Sequence, residues 1–91
     1  MQPVNIIFLT LGGKFMTMIN FNDLTSRAQL EIVYKNCSTN TLHVASNSKY
    51  PSVRRLVARD IRTSKELLNK MLQVEEDYCT ICAIIHNPNH N

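Results

Sequence analysis

Three short strings recur along the chain, and any fold it adopts has to give them equivalent places. They are Val33-Tyr34-Lys35-Asn36-Cys37-Ser38-Thr39, Val57-Ala58-Arg59-Asp60-Ile61-Arg62-Thr63 and Ile84-Ile85-His86-Asn87-Pro88-Asn89-His90, spaced by 24 and then 27 residues. Each reads β-branched apolar residue, any residue, basic residue or His, Asn or Asp, two more residues, then Thr or His. Each follows a stretch with apolar residues at helical spacing. Recurrence at this period is the mark of stacked units that cannot bury their apolar faces alone.

The chemistry of the string accounts for its order. The apolar residue closes the buried face of a helix. Asn or Asp then stops the helix, because its side chain competes for nearby backbone groups and tolerates the left-handed conformation. Pro88 reinforces the stop in the third string. Thr39 and Thr63 stand where the next helix needs an N-cap, and Thr63-Ser64-Lys65-Glu66 has the form of a capping box. This predicts five helices: about Asp23 to Lys35, burying Leu24, Ala28, Ile32 and Val33; about Thr41 to Ser46, burying Leu42 and Ala45; about Ser52 to Arg59, opened by Pro51 and burying Val53, Leu56 and Val57; about Ser64 to Gln73, burying Leu67, Leu68, Met71 and Leu72; and about Glu76 to His86, burying some of Tyr78, Ile81, Cys82 and Ile85.

The segment from Val53 through Arg54-Arg55-Leu56-Val57-Ala58-Arg59-Asp60 to Leu67-Leu68-Asn69-Lys70-Met71-Leu72 resembles the leucine-rich repeat variant, whose pattern is roughly VRxxVAxNPNTPxxLLxxLAxD. Ile84 to Asn89, with its Asn-Pro-Asn, is similar to the same motif. The likeness covers roughly residues 26 to 91. It implies an all-α, HEAT-like array: a short right-handed superhelix of stacked helix pairs that acts as a scaffold. Asp60-Ile61-Arg62 departs from Asn-Pro-Asn, and the repeat lengths are unequal. The cysteine-rich cluster-binding domain found beside some such repeats has no counterpart here.

The chain's start is a separate matter. Only two glycines occur, Gly12 and Gly13, and their absence afterwards favours helices over turn-rich β structure. Residues 1 to 15 have two readings. They are a translated leader ahead of a start at Met16, since two Gly codons before Phe15-Met16 can encode a ribosome-binding sequence, or they are an extended arm with a Gly-Gly turn. Either way the segment is expected to be disordered or extended, with the helical repeat domain covering residues 16 to 91. Abundant Asn, Ile and Lys suggest an AT-rich bacterial or phage source. The apolar run Ile6 to Leu11 is too short to span a bilayer and has no basic residue before it. Three cysteines do not suggest a disulfide-stapled secreted domain, so a reducing cytoplasm is expected.

Candidate chemistry is sparse. Cys79 and Cys82 with His86 and His90 hold metal-ligand residue types, but a stripe on one straight helix cannot surround an ion tetrahedrally, so no metal is expected. Cys-x-x-Cys lacks the βαβ context of a thioredoxin-like motif, and a small-hydrophobe core face is the simpler reading. His43 reads as a packing or surface residue. No triad and no phosphate loop are present, so no catalysis and no cofactor are expected.

The net charge of +3 is mild, yet Arg54, Arg55, Arg59, Arg62 and Lys65 cluster, and Arg55, Arg59 and Arg62 have helical spacing. They are the candidate surface for a partner or for nucleic-acid phosphates. No polar capping helix follows the third string, so Ile81, Ile84 and Ile85 are expected to be partly exposed and covered by a second copy or another partner. The expected function is a protein-binding module, with nucleic-acid binding through the basic face as the alternative.

Overall fold

A computed structural model describes the backbone of residues 6–11, 15–35 and 38–90, and side chains from residue 19 onward within those ranges. Strands β1 (Ile6–Leu11) and β2 (Phe15–Asn20) pair antiparallel, with Ile6 opposite Asn20 and Leu11 opposite Phe15. Both are rich in the β-branched and aromatic residues that suit a pleated surface. Five helices follow: α1 (Ser26–Lys35), α2 (Thr39–Ala45), α3 (Pro51–Arg59), α4 (Lys65–Val74) and α5 (Tyr78–His86). Single 3-10 turns at Phe21–Asp23 and Pro88–His90 flank them. The expected all-α body of five helices is therefore present, and the extended N-terminal segment is a two-stranded hairpin. The expected boundary between residues 15 and 16 falls inside β2, since Met16 is its second residue. Gly12 and Gly13 lie outside the described residues, as do Asn36 and Cys37 of the first string.

Helices α1, α3 and α5 form a row, with α3 in the middle. Helix α2 packs on α1, α3 and β1, and α4 packs on α5 and the last 3-10 turn. Helices α3 and α5 run in the same direction. Asp77, just before α5, lies 3.6 Å from Arg55 in the middle of α3. At the other end Asn87, just after α5, bonds to the carbonyls of Ala58 and Asp60 at the end of α3. The opening apolar residue of every string, Val33, Val57 and Ile84, is completely buried. Phe21, Ala45, Val53, Ala58 and Leu68 complete the sealed part of one continuous core. Burying a side chain of this kind stabilises the fold by about 1.5–3 kcal/mol.

The turns depart from expectation in instructive ways. Asp60 and Asn87 end their helices with extended backbone, φ −74° and −68°, and not in the left-handed region. Their side chains, and not their φ freedom, make the stop. Asn87 Nδ2 donates to the Ala58 and Asp60 carbonyls at 2.8 and 2.9 Å. Asn89 Nδ2 donates to the Ile61 and Thr63 carbonyls. The third string is thus tied directly onto the turn of the second.

The N-caps also shift by one residue. Ser38, not Thr39, caps α2, and Ser64, not Thr63, caps α4 by accepting from the Leu67 N–H. Thr63 is fully buried and donates to the Val57 carbonyl at 2.7 Å, a second bond to a helix-end oxygen that also accepts from the Asp60 N–H at 3.1 Å. The expected capping box therefore does not form, and Glu66 is exposed.

Ile84 is a further correction. It was expected at an exposed end, and it is buried because α5 packs on α3 and Ile84 joins the continuous core there. Ile81 is half-buried, and Ile85 is 48% exposed beside the more exposed Tyr78.

Candidate functional site

Two grooves run between neighbouring helices. The first, a cavity of about 370 Å³, lies between α2 and α4. Asn40, His43 and Asn47 recur at helical spacing along one wall, opposite Lys70 and Val74. Leu67 and Met71, both nearly buried, form an apolar floor, whereas Val74 is 77% exposed at one end. Ser46 Oγ and Asn47 Nδ2 both donate to the His43 carbonyl, which fixes the turn that closes α2. Among the described residues no carboxylate pairs with Lys70. The groove continues past Ser46 and Asn47 toward Arg54, Glu75 and Glu76.

The second groove, about 340 Å³, lies between α3 and α5. Arg55 and Arg59 of α3 face Cys79, Cys82 and His86 of α5, and Pro88 closes one end. Because the two helices are parallel, Arg55 stands at the level of the first turn of α5, and Arg59 one turn further along. His86 Nδ1 lies 2.7 Å from the Cys82 carbonyl oxygen. A carbonyl only accepts, so Nδ1 carries a proton and donates. The Tyr78 phenol is pushed above its ordinary value of 10.0, mainly by Cys82 one turn along α5, then by burial and by Cys79. Cys79 is exposed and Cys82 half-buried. Among the described residues no three His, Cys, Asp or Glu side chains are placed to share a metal ion. His90 is not part of this groove.

The five basic candidates do not act as one surface. Arg54 is committed to the fold: Nε and Nη2 donate to the two oxygens of Glu75 at 2.9 and 3.0 Å, and Nη1 donates to the Ser48 carbonyl at 2.8 Å. The bond to Glu75 raises the Arg54 pKa despite partial burial. Burial pushes the Glu75 carboxyl up, but the Arg54 guanidinium and the N–H groups of Asp77 and Glu76 outweigh it, so its pKa is lowered. Arg55 reaches Asp77 at 3.6 Å, and its buried Nε has no hydrogen-bond partner. Hydrogen bonds from the Thr80 side chain and backbone, with Arg55 adding its charge, lower the Asp77 pKa. Arg62 lies beyond the end of α3, so it does not share a face with Arg55 and Arg59, and it folds back onto Asp60. Arg59 and Lys65 are exposed, and among the described residues no carboxylate lies within ion-pair distance of either.

Sequence reasoning missed Gln29. It is fully buried, and its Nε2 donates to the carbonyls of Phe21 and Leu24 while its Oε1 accepts from Ser48 Oγ. It joins the start of the helical body to the approach to α3. A polar residue on an amphipathic helix carries no local signal of such a role. No helix among the described residues is long and apolar enough to cross a membrane. The chain matches no protein-family model, no curated protein and no solved structure.

Proposed function

We propose that this chain is a helical-repeat binding module of the kind its strings resemble, taking a protein partner and carrying out no catalysis. The observation that supports this reading is the groove between α2 and α4. Hydrogen-bonding side chains at Asn40, His43 and Asn47 stand over the apolar floor of Leu67 and Met71, opposite Lys70, which pairs with no carboxylate among the described residues. That combination suits an extended polypeptide segment carrying a carboxylate and an apolar side chain, because polar groups fix orientation and apolar area supplies affinity. Cytoplasmic residence belongs to the same reading, since Cys79 and Cys82 are free thiols.

Nucleic-acid binding is the weaker alternative. Arg54 and Arg62 are held by carboxylates at 2.9 and 2.8 Å, which reduces the charge available to phosphates. The test is capture from the native host by the immobilised full chain, alongside a variant carrying His43→Glu and Lys70→Glu. The expected result is a protein retained by the parent and lost from the variant, with the melting temperature of the variant unchanged. Retention by both, or retention only of nucleic acid that salt releases, would overturn the reading.

A further inference from the structure

The groove between α3 and α5 concentrates chemistry that the binding-module reading leaves unused. Two thiols, Cys79 and Cys82, share it with two guanidiniums, Arg55 and Arg59. The guanidiniums stem from positions four residues apart on α3, a rise of ~6 Å along the helix. Asp77 is the one carboxylate that contacts either arginine among the described residues, and it does so at 3.6 Å from Arg55. The groove is therefore a cationic cleft with a sulfur wall.

We propose that Cys79 is a site of reversible modification by a small anionic disulfide, whose carboxylates Arg55 and Arg59 hold while its sulfur meets the thiol. Two observations select Cys79 over its neighbour. It is exposed, whereas Cys82 is half-buried. It stands two residues after Asp77, at the level where Arg55 crosses to α5. A free anion such as phosphate would use the arginines alone; a disulfide uses both walls.

In the step itself the deprotonated Cys79 sulfur attacks the nearer sulfur of the bound disulfide. A bond forms between those two sulfurs, and the original sulfur–sulfur bond breaks. The farther sulfur leaves with the electron pair and takes a proton from solvent, so one disulfide and one thiol become a protein mixed disulfide and one small thiol.

Cys82 does not displace the adduct while α5 keeps its first turn. Residues three apart on a helix hold their Cβ atoms about 5–6 Å apart, whereas a disulfide draws them to about 3.5–4.5 Å. That turn is pinned by Asp77, which accepts from the Thr80 N–H at 2.9 Å and from Thr80 Oγ1 at 2.7 Å. An excess of small thiol reverses the reaction.

The proposal does not depend on the protein-partner reading, because it concerns a different groove. The test treats the full chain with glutathione disulfide, which is anionic, and in parallel with cystamine, which is cationic, following adducts by intact mass. Trypsin cleaves after Lys70 and leaves residues 71 to 91 as one peptide, so the pair is mapped apart from Cys37. The expected result is an adduct on Cys79, forming about tenfold faster with the anionic reagent at low salt. Arg55→Gln with Arg59→Gln removes that preference, Arg55→Lys with Arg59→Lys restores it, and Cys82→Ser leaves it intact. Equal rates for the two reagents, an adduct mainly on Cys82 or Cys37, or direct closure of a Cys79–Cys82 disulfide with no trapped adduct would each overturn it.

Discussion

Glu75 shows how much a single side chain holds in this fold. Only 3% of it is exposed, and Arg54 meets it with two parallel hydrogen bonds while also gripping the Ser48 carbonyl. One pair thus joins the loop before α3 to the loop after α4. Breaking such a pair by removing one partner leaves an uncompensated buried charge and costs about 3 kcal/mol. Glu75→Gln is accordingly expected to lower stability by that order at neutral pH, measured by urea unfolding. The pH dependence follows from the lowered pKa of Glu75 in the folded chain. Its contribution is fully present above the unfolded value near 4.5 and is lost as the pH falls through the folded value. The gap between parent and variant should therefore narrow below that pH; a gap constant down to strong acid would remove the ion pair from the account.

At the scale of the elements, the caps and the inter-turn bonds decide where helices stop. Ser64 and Thr63 are adjacent hydroxyl residues with different work. Ser64→Ala should cost about 1 kcal/mol through the lost N-cap. Thr63→Val should cost about 1 kcal/mol by removing one of two hydrogen bonds to the Val57 carbonyl, which keeps the Asp60 N–H. Glu66→Ala should change stability by less than about 0.5 kcal/mol, because no capping box forms. A larger loss at Glu66 than at Ser64 in chemical denaturation would restore the box.

Asn87 gives a second test of the same level. Two of its bonds hold α5 to the end of α3, so Asn87→Ala should lose about 2 kcal/mol. It should also speed amide exchange in α5 ahead of α1 and α3. Uniform acceleration across all helices would show that the ladder does not anchor α5 selectively.

For the whole molecule, the arrangement is a row of α1, α3 and α5 with α2 and α4 set against it. The final helix leaves Tyr78 77% and Ile85 48% exposed on its outer side, next to the half-buried Ile81. If a second copy covers these exposed side chains, light scattering should give a mass above 10.4 kDa that rises with concentration. Ile85→Lys should return it to the monomer value. A monomer mass for the parent at every concentration would end the self-association reading while leaving the two grooves untouched.

Periodicity carried the helical body. The strings placed Val33, Val57 and Ile84 at the close of alternate helices, and all three are sealed in the core because each helix has to bury one face. Reasoning from the chain's open end put Ile84 outside, and it failed because a helix's buried face is chosen by the neighbour it packs against. Tertiary structure alone decided the fate of the charges. Nothing local in Arg54 separates it from Arg55 or Arg59, and their roles diverge because Glu75, Asp77 and the thiols arrive from distant parts of the chain. Local pattern fixes which face of a helix is apolar. The opposing wall of a groove, and so its chemistry, exists only once separate helices meet.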